Sequence, residues 1–335
     1  MPKPLRTALV MHPVVANELI RADHMERLTR AVTLITPEPV RDFDVLGNDL
    51  ARLDVLVTSW GCPPIDAPLV ERMPRLQLLA HLAGSVKGFI DDVVWRRGIM
   101  VTNAVAANAV PVAEYTLAAI LFANKRVFQL QRIYQTEREN RAPWRREAPD
   151  VGNYRKTIGV IGASHVGRLL IRHLRQFDFR ILLYDPYVPP MAARDLGVVK
   201  TSLADLLAES DVVTLHVPLL PETRHLLGAR ELALMKNGAT LINTARGALV
   251  DQRSLEAELA RGRLYAVLDT TDPDLLPTDS ALFDLPNVFL TPHIAGSLGR
   301  ETERLTDCIV AEIERFARGA GLKHLVRREH LPRLA

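Results

Sequence analysis

The hydrophobic positions of the chain form two series of short apolar runs that alternate with amphipathic segments. In the first hundred residues the apolar runs predict strands at Thr7–Met11, Val32–Ile35, Val55–Thr58, Leu76–His81 and Met100–Thr102. The amphipathic segments between them predict helices at Asn17–Arg30, Asp66–Arg72 and Ile90–Arg97. Regular alternation of strand and helix predicts a parallel sheet that is covered on both faces.

A second series begins at Thr157 and is longer than the first. Its predicted strands are Ile158–Ile161, Arg180–Tyr184, Val212–His216, Thr240–Asn243, Ala266–Leu268 and Val288–Leu290. Its predicted helices are Val166–Phe177, Ser202–Glu209, Ala229–Leu234 and Gln252–Arg261. This length and rhythm are typical of a complete doubly wound dinucleotide-binding domain.

The segments that connect and follow the two series have their own character. Val110–Arg132 is apolar and too long for a strand, so we expect one buried helix at a domain junction or subunit interface. The polar stretch Gln135–Arg155 predicts an extended loop or arm. A final helix is expected at Arg300–Arg318, followed by a basic tail.

Composition narrows the class of protein. A length of 335 residues favours two domains, and 48% apolar and 24% charged residues are ordinary for a globular protein. A formal net charge of +3 does not indicate a nucleic-acid partner. Cys62 and Cys308 lack the spacing of a metal site or a disulfide framework, so we expect a reducing cytoplasm. No apolar run approaches the length of a membrane span, so none is expected.

The segment TIGVIGASHVGRLL predicts a dinucleotide-binding turn between a strand and a helix. Gly162, Ser164 and Gly167 occupy the three glycine positions of the G-x-G-x-x-G motif, in which phosphate binds at the helix N-terminus. Serine at the middle position either weakens or displaces pyrophosphate binding, or donates a hydrogen bond to a phosphate oxygen.

Asp185 ends the next predicted strand, 23 positions after Gly162, close to the spacing of a ribose-binding acid. No basic residue follows it directly, which favours NAD over NADP because a carboxylate repels a 2′-phosphate. The alternative is that Asp185 only caps the turn before Pro186.

Three segments near the C-terminal end bring together the chemistry of carbonyl reduction. An arginine that could hold a carboxylate lies in the segment INTARGALVD. Acids that could orient an imidazole lie in LDTTDPDLLP, and the imidazole itself lies in TPHIAG.

With these motifs placed, the chain resembles the D-isomer-specific 2-hydroxyacid dehydrogenases over nearly its whole length. Besides the segments above, the resemblance rests on His216–Pro218, Asn108 and Glu114. It implies an α/β fold in which a Rossmann dinucleotide-binding domain is inserted into a flavodoxin-like α/β substrate domain. The expected substrate domain comprises residues 1–106 and 300–335, and the expected NAD-binding domain comprises residues 107–299 with the dimerisation helix and arm.

The resemblance also assigns catalytic roles. Arg246 would bind the substrate carboxylate and polarise the carbonyl, and His293 would protonate the carbonyl oxygen. The family's third catalytic residue is usually a glutamate, whereas this chain has Asp274, which reaches one methylene less. Asp272 is a possible substitute for it.

The remaining expected contacts follow from the same resemblance. Substrate would contact Arg246, His293 and the loop residues Gly84, Ser85 and Val86, where the family often has a glycine-rich turn. The cofactor NAD would contact Gly162, Ser164, His165, Val166, Gly167, Asp185, His216, Pro218, Thr223, Thr244, Ala245, Asp269 and Gly296.

The overall prediction is an NAD-dependent, homodimeric oxidoreductase for a small 2-oxo acid and its D-2-hydroxy acid. The substrate side chain is left open. The alternative is a non-catalytic NAD-sensing protein resembling a corepressor on the same fold, which Ser164 and Asp274 favour. Retention of both Arg246 and His293 counts against that alternative.

Overall fold

The computed structural model describes residues 5–147 and 150–333. The residues outside this description are Met1–Pro4, Ala148, Pro149, Leu334 and Ala335. Part of the predicted arm and the end of the predicted basic tail therefore lie outside the described residues. The strands are β1 (Arg6–Val10), β2 (Thr33–Leu34), β3 (Val55–Thr58), β4 (Leu78–His81), β5 (Met100–Asn103), β6 (Thr157–Ile161), β7 (Arg180–Tyr184), β8 (Val199–Lys200), β9 (Val212–Leu215), β10 (Thr240–Asn243), β11 (Tyr265–Leu268) and β12 (Val288–Leu290).

The α-helices are named in the same way. They are α1 (Pro13–Leu19), α2 (Ala22–Ala31), α3 (Ala67–Glu71), α4 (Val93–Arg96), α5 (Val105–Asn124), α6 (Val127–Thr136), α7 (Trp144–Glu147), α8 (His165–Leu174), α9 (Pro190–Asp195), α10 (Leu203–Glu209), α11 (Ala229–Leu234), α12 (Gln252–Ala260) and α13 (Thr302–Ala317).

The chain divides into two compact units. The first contains the described residues up to Asn108 and those from Ser297 onward, and the second is Ala109–Gly296. Within the first unit, Asn108 Oδ1 accepts a hydrogen bond from Ser297 N at 2.9 Å, which ties together the points where the chain leaves and re-enters the unit.

The first unit is built on a five-stranded parallel sheet with the order β2-β1-β3-β4-β5. This is the flavodoxin-like order. Every residue of β3 and β4 is buried, because helices cover both faces of a parallel sheet, and α13 packs against α2 on one of them.

The second unit is built on a seven-stranded parallel sheet with the order β12-β11-β10-β9-β6-β7-β8. Six of these strands follow the Rossmann order, and β12 extends the sheet at one edge. The order reverses between β6 and β9, where open α/β sheets bind ligands at the carboxyl ends of their strands. The predicted fold class is therefore confirmed.

The predicted helix Asn17–Arg30 is wrong in detail, because two helices occupy this region. The first, α1, begins at Pro13, where proline at the first helical position and the His12 ring, accepting from Val14 N at 3.3 Å, start it early. The chain is extended at Ile20 and Arg21, and the His24 ring accepts from Arg21 N to cap α2.

The predicted single helix Val110–Arg132 is also two helices, α5 and α6. Arg126 interrupts them with a left-handed backbone, φ 52°. Among the described residues, α5 is the one helix that is long and apolar enough to cross a membrane, judged by length and composition alone. In the most apolar 18-residue stretch of α5, 44% of the stretch is buried inside the protein. A core helix of a globular protein meets the same criterion.

The sequence patterns missed α9 and β8 in the second unit. The strand β8 is two exposed residues at the sheet edge, so it has no apolar run to predict it. The predicted arm also contains a short helix, α7, and a 3-10 turn at Gly299–Glu301 precedes the final helix.

Candidate active site

The carboxyl ends of the parallel strands in the second unit meet at one edge of the sheet, together with the loops that follow them. The sequence motifs lie in these loops. The glycine turn follows β6, Asp185 follows β7, His216 follows β9, Arg246 follows β10, Asp269 and Asp274 follow β11, and His293 follows β12.

The turn after β6 depends on two close approaches of its backbone. A Cβ on Gly162, whose φ is +95°, would lie 2.6 Å from Val217 Cγ1 in the loop after β9. A Cβ on Gly167 would lie 2.1 Å from the carbonyl oxygen of Gly162. These residues therefore form a cradle at the strand-order reversal, and the N-terminus of α8 that follows it suits a dinucleotide pyrophosphate.

Ser164, at the middle position of the motif, caps helix α8. Its φ is −65°, so no left-handed backbone is needed there, and its hydroxyl accepts from Gly167 N at 3.4 Å. This capping explains the serine without a cost to the turn. The hydroxyl proton remains available for a ligand oxygen. His165 and Val166 follow in the first turn of α8, where His165 is exposed and Val166 half-buried.

Asp185 supports the glycine turn from the neighbouring strand. Its Oδ2 accepts from Ala163 N and its Oδ1 accepts from Tyr187 N, each at 2.8 Å. The second bond is the turn cap that the sequence offered as an alternative role. The carboxylate is half-buried and each oxygen accepts one recorded bond, so acceptor capacity remains for a ribose hydroxyl.

His216 is buried behind the site and stays neutral. Its Nε2 lies 2.9 Å from Thr214 Oγ1, and burial lowers the pKa of His216 to about 3. In the loop that follows, Thr223 Oγ1 donates to Pro218 O at 2.7 Å and accepts from Leu220 N at 2.8 Å. The Thr223 hydroxyl therefore shapes this loop.

Arg246 is exposed on a loop that buried residues hold in place. Asn243 donates from Nδ2 to Arg246 O at 2.8 Å, and its Oδ1 accepts from Ala245 N at 3.1 Å. A Cβ on Gly247 would lie 2.0 Å from the Thr271 carbonyl, so this loop presses against the loop after β11. Among the described residues, the Arg246 guanidinium donates to Ala245 O alone, through Nη1, which leaves most of its donors for a ligand.

Asp269 organises the loop that carries His293. The Asp269 side chain is buried; its Oδ1 accepts from Thr291 Oγ1 at 2.6 Å and from Ile294 N at 2.8 Å, and its Oδ2 accepts from Ala295 N at 2.9 Å. Its backbone carbonyl accepts from His293 N at 3.0 Å. The carboxylate predicted to contact the cofactor is thus engaged with the protein itself.

His293 and Asp274 are in contact at the surface. His293 Nδ1 lies 3.2 Å and 3.3 Å from the two Asp274 carboxylate oxygens, and the two side chains are 49% and 68% exposed. Because an ionised carboxylate only accepts, Nδ1 carries the proton and Nε2 remains for proton transfer. His293 has a left-handed φ of 56°, an uncommon conformation for a residue other than glycine.

Asp272 points to other partners. Its Oδ2 lies 3.2 Å from Arg224 Nη2, and its backbone N donates to Gln252 Oε1 at 2.9 Å. Asp272 precedes a cis bond to Pro273, and Thr271 Oγ1 donates to Pro273 O at 2.8 Å. Among the described residues, the side chain within hydrogen-bond distance of the His293 imidazole is therefore that of Asp274.

In the first unit, the predicted substrate loop follows β4. Val86 is buried, Gly84 and Ser85 are half-buried, and the Ser85 hydroxyl accepts from Lys87 N at 3.3 Å. Within the described chain, the N–H groups of Ser85 and Val86 have no hydrogen-bond acceptor. Both are thus free to bind a carboxylate.

Two residues of α5 that support the site, Tyr115 and Thr116, were missed by sequence reasoning. Thr291 has one hydroxyl proton, which it donates to Asp269, so the Tyr115 hydroxyl 2.8 Å away donates to Thr291. Burial raises the pKa of Tyr115, which keeps it a proton donor. Thr116 Oγ1 likewise lies 2.9 Å from Thr244 Oγ1. No sequence signal identifies hydroxyls whose partners are more than a hundred residues away.

Gly296 is half-buried at the end of the histidine loop and of the second unit. Among the residues that the structure describes, no group of three or more His, Cys, Asp or Glu side chains could hold a metal ion.

Comparison with known proteins assigns the chain to a family. A family model described as the D-isomer specific 2-hydroxyacid dehydrogenase, NAD binding domain, matches residues 117–295, more than half of the chain. The chain belongs to this family, and its second unit contains the NAD-binding domain. The cofactor class is therefore a nicotinamide dinucleotide.

The chain is similar to two relatives with assigned names. It is 34% identical to a glyoxylate reductase of Korarchaeum cryptofilum over 82% of this chain and 83% of that protein. It is 32% identical to a D-3-phosphoglycerate dehydrogenase of Methanocaldococcus jannaschii over 83% of this chain but 52% of that protein. The chain thus spans about half the length of the phosphoglycerate dehydrogenases that it matches.

The fold is shared with solved structures. A phosphoglycerate oxidoreductase from Rhizobium etli superimposes with a TM-score of 0.83 and 24% identity, covering 98% of this chain and 99% of that one.

Proposed function

We propose that this chain is an NAD-dependent oxidoreductase that interconverts a small 2-oxo acid and its D-2-hydroxy acid. The observation that carries the proposal is the His293–Asp274 pair, which lies at the same sheet edge as the Arg246 loop in an NAD-binding domain. In this proposal the first unit is the substrate domain, and its Ser85 and Val86 N–H groups have no acceptor within the described residues.

Each residue has a distinct task in this reaction. Bound NADH supplies the hydride. Arg246 binds the substrate carboxylate through its planar guanidinium, which suits two parallel hydrogen bonds. Asp274 holds the imidazole in place through Nδ1, and His293 delivers a proton from Nε2 to the carbonyl oxygen. In the reverse direction, His293 removes the hydroxyl proton.

Glyoxylate and hydroxypyruvate are the substrates that we would test first, because one relative is a glyoxylate reductase. The roles proposed for Arg246 and His293 require only a carboxylate with a carbonyl next to it, and both short acids have these groups. The corepressor-like alternative rested on Ser164 and Asp274. Ser164 caps α8 and Asp274 contacts His293, so neither now favours a sensor over an enzyme.

The test is turnover on a panel of 2-oxo acids with NADH and NADPH in parallel: glyoxylate, hydroxypyruvate, 2-oxobutyrate and phenylpyruvate. We expect NADH oxidation with at least one of them. His293→Ala should lower kcat by about 10²-fold or more while NADH still binds. His173→Gln, a histidine change in α8 away from these loops, should retain activity. NADH binding without turnover on the whole panel would favour the sensor.

A homodimer is part of the proposal. Helix α6 contributes no buried residue within the single chain, and Tyr134 and Phe122 are 51% and 49% exposed. Covering these side chains with a second copy would remove apolar surface from water. Light scattering during size-exclusion chromatography should give twice the chain mass, and Tyr134→Glu should shift it towards the monomer.

We also propose a cytoplasmic location without a nucleic-acid or membrane partner. Both cysteines are free thiols, and the net charge is small.

A further inference from the structure

A polar cavity lies at the opposite edge of the seven-stranded sheet, where β6, β9, β10 and β11 begin. Its volume is about 230 Å³, and three cations line it: Arg126, Lys156 and Lys236. Two acids, Asp150 and Asp211, also line it. The motifs of the candidate active site do not extend to this edge.

The two acids are already engaged with the lysines and the backbone. Asp150 pairs with Lys156, and Asp211 Oδ1 lies 3.1 Å from Lys236 Nζ. Asp211 Oδ2 accepts from Thr157 N at 2.8 Å. The cavity therefore carries one positive charge that none of its carboxylates neutralises.

That charge belongs to Arg126, the residue that separates α5 from α6. Its Nη2 donates to Gly238 O, and its guanidinium lies 4.0 Å from the centroid of the Tyr265 ring. Its Nη1 is buried and has no hydrogen-bond partner among the described residues. Burial lowers the pKa of Arg126, which reflects the cost of removing its charge from water. A buried donor without an acceptor is unfavourable unless a ligand or solvent supplies one.

We propose that this cavity binds a small oxyanion of the phosphate class, either inorganic phosphate or the phosphate group of a small ester. Arg126 donates to it from Nη1, and Lys236 and Asn237, both exposed, form the mouth. The site and the glycine turn lie at opposite ends of β6. Phosphate and NADH therefore bind at the same time.

The test is calorimetric titration with inorganic phosphate at constant ionic strength, in saturating NADH so that the glycine turn is occupied. We expect one site in the unaltered protein. Arg126→Met should weaken binding about tenfold or more, because it removes a charged donor. Lys125→Gln is the matched control: it removes one positive charge from the adjacent exposed residue, which does not line the cavity, and should leave binding unchanged.

Glycerol 3-phosphate, titrated in parallel, distinguishes the two sources of phosphate: tighter binding than inorganic phosphate indicates an ester, and weaker binding indicates the free ion. Equal phosphate binding by Arg126→Met and Lys125→Gln would overturn the proposal, as would the absence of binding at millimolar phosphate. If Arg126→Met does not fold, Lys236→Gln decides, because it should weaken binding about threefold by removing charge at the mouth; unchanged binding would overturn the site.

Discussion

The glycine turn and the histidine loop are supported by the same arrangement. In each case an aspartate directly after one strand accepts backbone N–H groups from the loop after the neighbouring strand. Asp185 supports the glycine turn through Ala163 N, and Asp269 supports the histidine loop through Ile294 N and Ala295 N.

The two carboxylates differ in how much capacity remains for a ligand. Asp185 is half-buried and accepts one recorded bond per oxygen, whereas Asp269 is 2% exposed and accepts three bonds, one of them from the Thr291 hydroxyl. An acid that looks like a cofactor contact in the sequence can thus serve mainly to position a loop. We therefore expect Asp185 to act on cofactor affinity and Asp269 on stability and turnover.

The largest effect should come from Asp269→Ala. It leaves the half-buried Thr291 hydroxyl and the Ile294 and Ala295 N–H groups without their acceptor, so the free energy of unfolding should fall by about 3 kcal/mol. Turnover should fall about 10²-fold because the His293 loop loses its support. Thermal unfolding by circular dichroism and kcat measure these effects, and Asp269→Asn should be intermediate. Unchanged thermal stability would contradict the supporting role.

Asp185→Ala should raise the Kd for NADH about tenfold and narrow the preference for NADH over NADPH, because the ribose acceptor and the repulsive charge are both removed. Thermal stability should fall less than in Asp269→Ala. Fluorescence titration with both cofactors gives the Kd values. If they do not change, Asp185 acts only as a support for the turn.

Asp274→Asn tests the exposed acid beside His293. The Asp274 carboxylate accepts from His293 Nδ1 and fixes the orientation of the imidazole, so that Nε2 is the atom that transfers the proton. Replacing the carboxylate by an amide should therefore weaken this hydrogen bond and lower kcat for reduction several-fold, while the Kd for NADH changes little. Asp272→Asn, which removes the same charge from the residue paired with Arg224, is the control. A larger fall in kcat in that control would assign the role to Asp272.

The smallest effect should come from Ser164. Replacement by alanine removes the cap of α8 and should cost about 1 kcal/mol of stability, whereas glycine should cost a few tenths. The Kd of the Ser164→Gly variant for NADH distinguishes the two effects on pyrophosphate binding that the sequence predicts for this serine. Tighter binding would mean that its side chain obstructs pyrophosphate, and weaker binding would mean that its hydroxyl donates to it.

Strands that are buried on both faces were the most predictable part of the fold. Val55–Thr58 and Thr240–Asn243 have the predicted bounds, because a parallel strand covered by helices must be apolar throughout. The edge strand β8 escaped prediction because its two residues are exposed. The break between α5 and α6 escaped because contacts of Arg126 with Gly238 and Tyr265, distant in the chain, accompany it.

The same division runs through the candidate site. Gly162, Arg246, Asp274 and His293 are recognisable because their chemistry and spacing are local properties of the chain. The Tyr115–Thr291–Asp269 series of hydrogen bonds has no local signature, since its first and last members are separated by more than 150 residues.

The sequence by itself determined the family, the two parallel sheets and the residue types available for carbonyl reduction. Apolar periodicity and motif spacing depend only on residues that are close together in the chain, so both can be observed without a structure. Only the tertiary structure decided which carboxylate contacts His293, which aspartate remains open to a ligand, and that Arg126 lines a cavity with a buried, unpaired donor. Those outcomes depend on which loops meet at a sheet edge and which hydrogen-bond partners are already taken, and both are set by contacts between distant residues.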